Sequence, residues 1–305
     1  MTVLQQGDKN RPKFALITGA SSGIGYALTK EFSKRGYKVI ACSPQEVIHL
    51  QEPLVKEFGA ISVACDITNI DDLKRLKEFV FAHTSGYLDV LYNNAGIAIG
   101  GPAAEIDEVK LNRIFQVNVI GHINVTKQLS PFVINAKGSI VYTSSVAARV
   151  PLAWTSAYSA TKAAIDAYAQ TLHGEMAPFG VKVHSVITGG VDTDISGNPS
   201  IQEIEEELGD SKFKVDGIVE CFVATREMSH DSKYSPDKYA KDMVGKVCKK
   251  SSKFNLYGGY RGYFLHFISR YFPLWLVEFV IQSFFKQRKV FKNVKKLAQA
   301  KNVKS

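Results

Sequence analysis

Six short apolar runs punctuate the first two-thirds of the chain, each followed by a stretch with helical spacing. They are "KFALIT" (13–18), "KVIACS" (38–43), "ISVACDIT" (61–68), "LDVLYNNAG" (88–96), "GSIVYTSS" (138–145) and "VKVHSVITGG" (181–190). Continuously apolar strands separated by helices predict a parallel sheet buried on both faces. The expected fold is therefore α/β, a doubly wound parallel sheet of the Rossmann type. In such sheets ligands bind beyond the carboxyl ends of the strands.

The first turn of that sheet is "TGASSGIG", Thr18 to Gly25, set between a strand and the helical stretch "GIGYALTKEFSKRG". Gly19, Gly23 and Gly25 fit a turn that lets the backbone approach a dinucleotide pyrophosphate, with Ser21, Ser22 and Ile24 lining it. The helix N-terminus behind the turn supplies N–H donors and positive dipole. The same residues spell Gly19-x-Ser21-x-Gly23, a nucleophile elbow. An ester hydrolase acting through Ser21 is thus the alternative reading, although His173, His184, His230 and His266 show no recognisable acid–base arrangement with it.

"YSATK" carries the chemistry. Tyr158 and Lys162 stand at i and i+4, so a helix aims both into one site. A neighbouring ammonium is expected to lower the phenol pKa and make Tyr158 a general acid/base. Ser145, at the end of a predicted strand, can polarise a substrate carbonyl.

With these motifs together the chain resembles the short-chain dehydrogenase/reductase family over roughly residues 13–195. The resemblance implies an oxidoreductase with Ser145, Tyr158, Lys162 and Asn118 as its catalytic set, Asn118 holding a water that relays protons to Lys162. It implies that Asp66 touches the adenine, and that Asn93, Asn94, Ala95 and Gly96 shape the central sheet and cofactor floor. Lys162 would also bind the nicotinamide ribose. Where the family often has Pro-Gly after the sixth strand, this chain has Thr188-Gly189-Gly190, leaving Val191 and Thr193 as the implied nicotinamide contacts. "ACSPQ" (41–45) carries neither the acidic residue of NAD-specific relatives nor the arginine of many NADP-specific ones. Without an acid to repel a 2′-phosphate, and with Ser43 able to donate to one, the expected cofactor is NADP, with NAD left open.

Beyond about residue 192 the pattern changes. A polar stretch to about residue 240 reads as a substrate-covering loop. Residues 1–255 are read as the reductase domain and 256–305 as an extension. Residues 256–285 hold eleven of the 33 Phe, Tyr and Trp residues. From Lys286 onward eight Lys/Arg stand without an acid, so that of the formal charge of +9 only about +1 belongs to the rest of the chain. Such a charge belongs to a tail, and excludes a nucleic-acid-binding fold. No uninterrupted run is long enough to span a bilayer. Dense aromatics followed by lysines predict a membrane-associating segment lying in a headgroup layer; a flap over the pocket or a dimer face is the alternative. The polar N-terminus shows no apolar signal region. The four cysteines have no metal-ligand spacing, and no metal is expected. Within the family, "YNNAG", "ITGGVDTDI" and the C-terminal pattern resemble fungal members that reduce a lipid ketone, an acylated dihydroxyacetone phosphate, on the cytosolic face of the endoplasmic reticulum and on lipid droplets. A steroid or retinoid ketone is the variant reading, and a homo-oligomer is left open.

Overall fold

The computed structural model describes residues 11–197, 200–230, 234–249 and 253–302. The polar N-terminus, two short parts of the expected substrate loop (198–199 and 231–233) and the last three residues lie outside these, as does the side chain of His230.

Seven parallel strands form one sheet in the order β3-β2-β1-β4-β5-β6-β7. They are β1 (Lys13–Thr18), β2 (Tyr37–Ser43), β3 (Ile61–Ala64), β4 (Val90–Asn93), β5 (Ser139–Ser145), β6 (Lys182–Thr188) and β7 (Asn255–Gly258). All six predicted runs are strands. β7 was not expected: it is a four-residue edge strand pairing only with β6, too short for a periodic signal. The boundary drawn at 255/256 falls inside it.

The first six helices are α1 (Gly23–Lys34), α2 (Glu52–Phe58), α3 (Ile70–Thr84), α4 (Glu108–Phe115), α5 (His122–Ala136) and α6 (Ser156–Met176). The later ones are α7 (Ile201–Leu208), α8 (Ile218–His230), α9 (Pro236–Cys248), α10 (Gly262–Tyr271), α11 (Leu274–Phe284) and α12 (Gln287–Asn302). The strand period of two divides the core. Leu16, Ile40, Leu91 and Ile140 meet α3, α5 and α6 on one face. Ile17, Val39, Val141 and Val186 meet α1, α2 and α9 on the other. Such side chains are fully buried, and truncating one to alanine costs about 2–5 kcal/mol.

Strand order reverses between β1 and β4. The chain leaves β1 for a strand on one side and later returns to the other, so the loops beyond these two strands part and open a crevice. A cavity of about 1000 Å³ lies there. Residues 201–230 after β6, which carry α7 and α8, cover part of it through Glu207, Phe222 and Thr225.

The C-terminal helices are tied into this body. Val277 and Ile281 of α11, with Phe285, are buried against Val150 and Leu152, between β5 and α6. Val290 and Phe291 of α12 pack with α8 and Trp154. Among the described residues no helix is long and apolar enough to cross a membrane.

Candidate active site

The glycine turn explains itself by contact distances. Gly19 has φ +68°, and a Cβ there would stand 2.8 Å from the Ala95 Cα. A Cβ on Gly25 would stand 2.0 Å from the Gly19 carbonyl oxygen and 2.7 Å from Asn94 Nδ2. Gly23, φ +51°, sits beneath Thr193. The turn is therefore pressed against the loop after β4, and only glycine fits. Ser22 caps α1 without a side-chain hydrogen bond, which leaves the first-turn N–H groups for a ligand. Gly19, Ser21, Ser22, Gly23, Ile24 and Gly25 all line the cavity.

Thr18 does more than its place in the motif suggested. Its buried Oγ1 accepts the Asn94 and Ala95 N–H groups at 2.9 and 3.0 Å, pinning β1 to the β4 loop across the switch point. Asn94 adds a bond from Nδ2 to the Thr18 carbonyl (3.1 Å) and accepts from Thr143 Oγ1 (3.2 Å). Asn94, Ala95 and Gly96 form the cavity floor. Asn93 does not, which corrects its reading as a floor residue. Its side chain points behind the floor, donating to Thr126 Oγ1 at 3.3 Å beside His122, because strand alternation sends consecutive side chains to opposite faces.

Ser21 is not placed as a nucleophile. Its backbone N–H donates to Ser43 Oγ at 3.0 Å, and the described candidate histidines are engaged elsewhere: His173 bonds to the Val183 carbonyl, His184 to the Lys253 carbonyl, and the His266 ring lies against Tyr257. His122 Nε2, 2.7 Å from the Ala95 carbonyl, carries the proton, and burial beside Lys162 holds its pKa down to about 3. No acid–base pair faces Ser21 among the described residues, and the hydrolase reading falls. Ser43 also differs from expectation. The residue is 1% exposed, and its hydroxyl accepts from both Ser21 N–H and Gln51 Nε2 (2.8 Å). It braces the turn against the segment after β2, although its residue lines the cavity. Asp66 sits at that end too, its Oδ1 accepting from Thr68 N–H and Oγ1.

At the other end stand Ser145, Tyr158 and Lys162. Ser145 ends β5, and its Oγ accepts the Ala147 N–H at 3.1 Å, turning the chain out of the sheet. Tyr158 and Lys162 occupy the first two turns of α6. Lys162 Nζ donates to the Thr143 carbonyl at 2.8 Å and lies 5.6 Å from the Tyr158 ring centre. Burial draws the ammonium down to about 8. Burial likewise pushes the Tyr158 phenol up, with the Ser145 hydroxyl pulling part of the way back. The expected lowering by Lys162 is not what this geometry gives. Desolvation dominates, and the phenol keeps its proton at neutral pH.

Asn118 lies in a π-helical turn, Gln116–Gly121, between α4 and α5. Its amide brackets Ile97, accepting from N–H and donating to the carbonyl, both at 2.9 Å, and donates to Thr161 Oγ1 at 3.1 Å. A Cβ on Gly96 would be 3.4 Å from Asn118 Oδ1 and 3.6 Å from Lys162 Nζ, so the floor, the π turn and the lysine meet at one point. π turns of this kind are frequent at functional sites. Val191 and Thr193 close the cavity from the β6 side. The Gly189-Gly190 departure also has a cause. Gly190 and Tyr260 exchange backbone hydrogen bonds, and a Cβ on Gly189 would stand 2.1 Å from the Tyr260 carbonyl oxygen.

The cradle, the helix N-terminus behind it and a cavity running from Asp66 to Tyr158 fit a dinucleotide laid across the switch point. The sequence profile of the short chain dehydrogenase family matches residues 13–204. The chain belongs to that family. It is 38% identical over 295 residues to the NADPH-dependent 1-acyldihydroxyacetone phosphate reductase of Saccharomyces cerevisiae, covering 95% of this chain and 96% of that one. The Schizosaccharomyces pombe protein of the same description is 40% identical over 188 residues, 61% of this chain and 62% of that one. A short-chain dehydrogenase structure from Streptomyces avermitilis superposes with a TM-score of 0.71 at 26% identity, covering 93% of this chain and 98% of that one.

Trp154 escaped the sequence reading. It lines the cavity, buried, in a left-handed conformation (φ +70°) that a bulky side chain rarely adopts. Its carbonyl accepts the Gly101 N–H at 2.8 Å, and its indole packs among Phe213, Phe222 and Phe291. Nothing periodic or motif-like marks such a position.

Proposed function

We propose that this oxidoreductase uses NADPH to reduce the ketone of a lipid, 1-acyl-dihydroxyacetone phosphate, to 1-acylglycerol 3-phosphate. The observation that carries the reading is that Ser145, Tyr158 and Lys162 meet beside a glycine cradle in one cavity. Support for the cofactor comes from the full-length similarity to an NADPH-dependent relative and from the lack of a carboxylate at the end of β2. Support for a lipid ketone comes from the same relative and from the apolar side chains Leu152, Trp154, Ile195 and Phe222 at the cavity wall.

The bound dinucleotide supplies the hydride. The chain does the rest. Ser145, fixed by its turn, donates to the carbonyl oxygen and holds it towards Tyr158. Tyr158, kept protonated by burial, gives its proton to that oxygen as charge develops. Lys162 places a cation on the same face of α6, favouring the phenolate once the proton has left. Asn118 fixes the floor loop beneath both.

The reading places the enzyme on cytosol-facing surfaces of the endoplasmic reticulum and lipid droplets. The test is NADPH and NADH consumption by purified protein against acyl-dihydroxyacetone phosphate, ketosteroids and retinal. Preferential NADPH-driven reduction of the first supports the proposal; preference for a steroid or retinal overturns the substrate.

A further inference from the structure

Eleven of the 21 large apolar side chains exposed among the described residues fall between Tyr260 and Phe284. They are concentrated on one hairpin. α10 and α11 turn about Pro273, and Arg261, at the start of α10, lies 5.4 Å from the ring of Phe284 at the end of α11. The outward side carries Tyr263, Phe264, Tyr271, Leu274, Trp275 and Phe279, each at least half exposed. Exposed apolar patches of this density mark contact sites.

Charge identifies what covers the face. From Tyr257 to Asn302 the sequence holds nine Lys/Arg and a single acid, Glu278. A second copy would bring like charge against like. An anionic lipid surface would not, and Tyr and Trp favour its headgroup level. Arg261 over Tyr260 and Arg288 over Phe279 set guanidinium groups beside the rings, as snorkelling cations require. At 11 residues α11 is too short to cross a bilayer and suits lying in its plane.

The same helix has a second face. Val277, Ile281 and Phe285 pack on Val150 and Leu152, which lie between Ser145 and Tyr158. Ahead of α10, Tyr260 is hydrogen-bonded to Gly190, one residue before Val191. Both loops that frame the reacting end of the cavity are therefore braced by the hairpin that carries the exposed aromatics.

We propose that the outer face of the α10–α11 hairpin docks on an anionic lipid surface and that docking, through the inner face of α11, orders the Ser145–Tyr158 loop, so that the reductase works faster on a lipid surface than in free solution. The second half rests on the reductase reading above.

The two tryptophans of the chain report the two ends separately, since Trp275 is 68% exposed on the outer face and Trp154 is 5% exposed in the loop. The full-length Trp154→Phe and Trp275→Phe proteins would be titrated with vesicles of phosphatidylcholine, with and without phosphatidylserine. Expected with the anionic vesicles are a blue shift of Trp275 emission and a drop in acrylamide quenching of Trp154. Leu274→Glu, at an exposed position, should lose both. Wild-type NADPH-driven reduction of a water-soluble ketone should rise severalfold with the same vesicles, and that rise should vanish in Leu274→Glu while its vesicle-free rate stays. An unmoved Trp275 overturns docking. A shifted Trp275 with an unmoved Trp154 overturns the coupling. A Trp275 shift that follows protein concentration without lipid assigns the face to a second copy and overturns the proposal. The fluorescence does not depend on turnover, so a failed reductase reading, seen as no NADPH consumption with any ketone, is distinguished from failed docking.

Discussion

Lys162 Nζ donates a 2.8 Å hydrogen bond to the main-chain carbonyl of Thr143, two residues before Ser145. One buried ammonium thus locks the catalytic helix α6 to the strand that presents the serine. It is both a fastener and a charge, and the two roles respond differently to pH.

Reduction needs Tyr158 protonated and Lys162 charged. The phenol is pushed upward by burial, whereas Lys162 titrates near 8. Reductive kcat/KM should therefore fall as pH rises through about 8, where the ammonium is lost, before the phenol deprotonates. A rate profile from pH 6 to 10 checks this, and Lys162→Arg, with a cation that does not titrate in this range, should flatten the limb at about 8.

Burying that ammonium opposes folding. Its native pKa lies below the unfolded value of about 10.4, so the cost is present in full below pH 8 and disappears above pH 10.4. Lys162→Met should abolish turnover yet leave the fold as stable or more so at pH 7. The upper bound, from an ammonium held at about 8 instead of about 10.4, is about 3 kcal/mol. Denaturant unfolding at pH 7 and pH 10 should show the advantage shrinking at the higher pH.

Gly25→Ala should remove dinucleotide binding. A Cβ 2.0 Å from the Gly19 carbonyl can be admitted only by moving the backbone of the turn. Overpacking of this kind costs about 1–3 kcal/mol, and the moved turn no longer presents its N–H groups. Titration of NADPH fluorescence measures the loss, while circular dichroism should stay close to that of the wild type.

Asp166, one turn beyond Lys162 on α6, is 4% exposed and pairs with Arg149 from the turn after Ser145 while accepting from Ser185 Oγ. Asp166→Ala leaves the partly exposed Arg149 cation without its partner and the buried Ser185 hydroxyl without its acceptor, and should cost about 1–3 kcal/mol. The Arg149→Met/Asp166→Leu double replacement should recover much of that in urea unfolding, because no unpaired charge remains.

The sheet was legible because its strands are continuously apolar and its helices periodic; β7, with one neighbour and four residues, offered no such pattern. Residues named by spacing, Ser145, Tyr158, Lys162 and the glycines, arrive where the spacing put them. Asn93 and Ser43 sit in the motifs but face buried partners, since a sequence gives a residue's position in a loop but not its side of the sheet. Trp154, Thr143 and Gly189 owe their roles to contacts with segments roughly 20 to 140 residues away in the chain, which no local pattern carries. The aromatic extension was visible as composition; that α11 has one face on the active-site loop and another turned outward emerged only from the packing.

The central claim is that Tyr158 protonates a ketone while NADPH is oxidised. Its most direct test is single-turnover reduction of acyl-dihydroxyacetone phosphate by wild-type and Tyr158→Phe proteins, each first shown to bind NADPH. The predicted result is stoichiometric NADPH loss with acylglycerol 3-phosphate formation in the wild type, and a rate lower by about 100- to 10,000-fold in the variant. Equal rates in the two proteins, or NADPH bound but never consumed with any ketone, would contradict it.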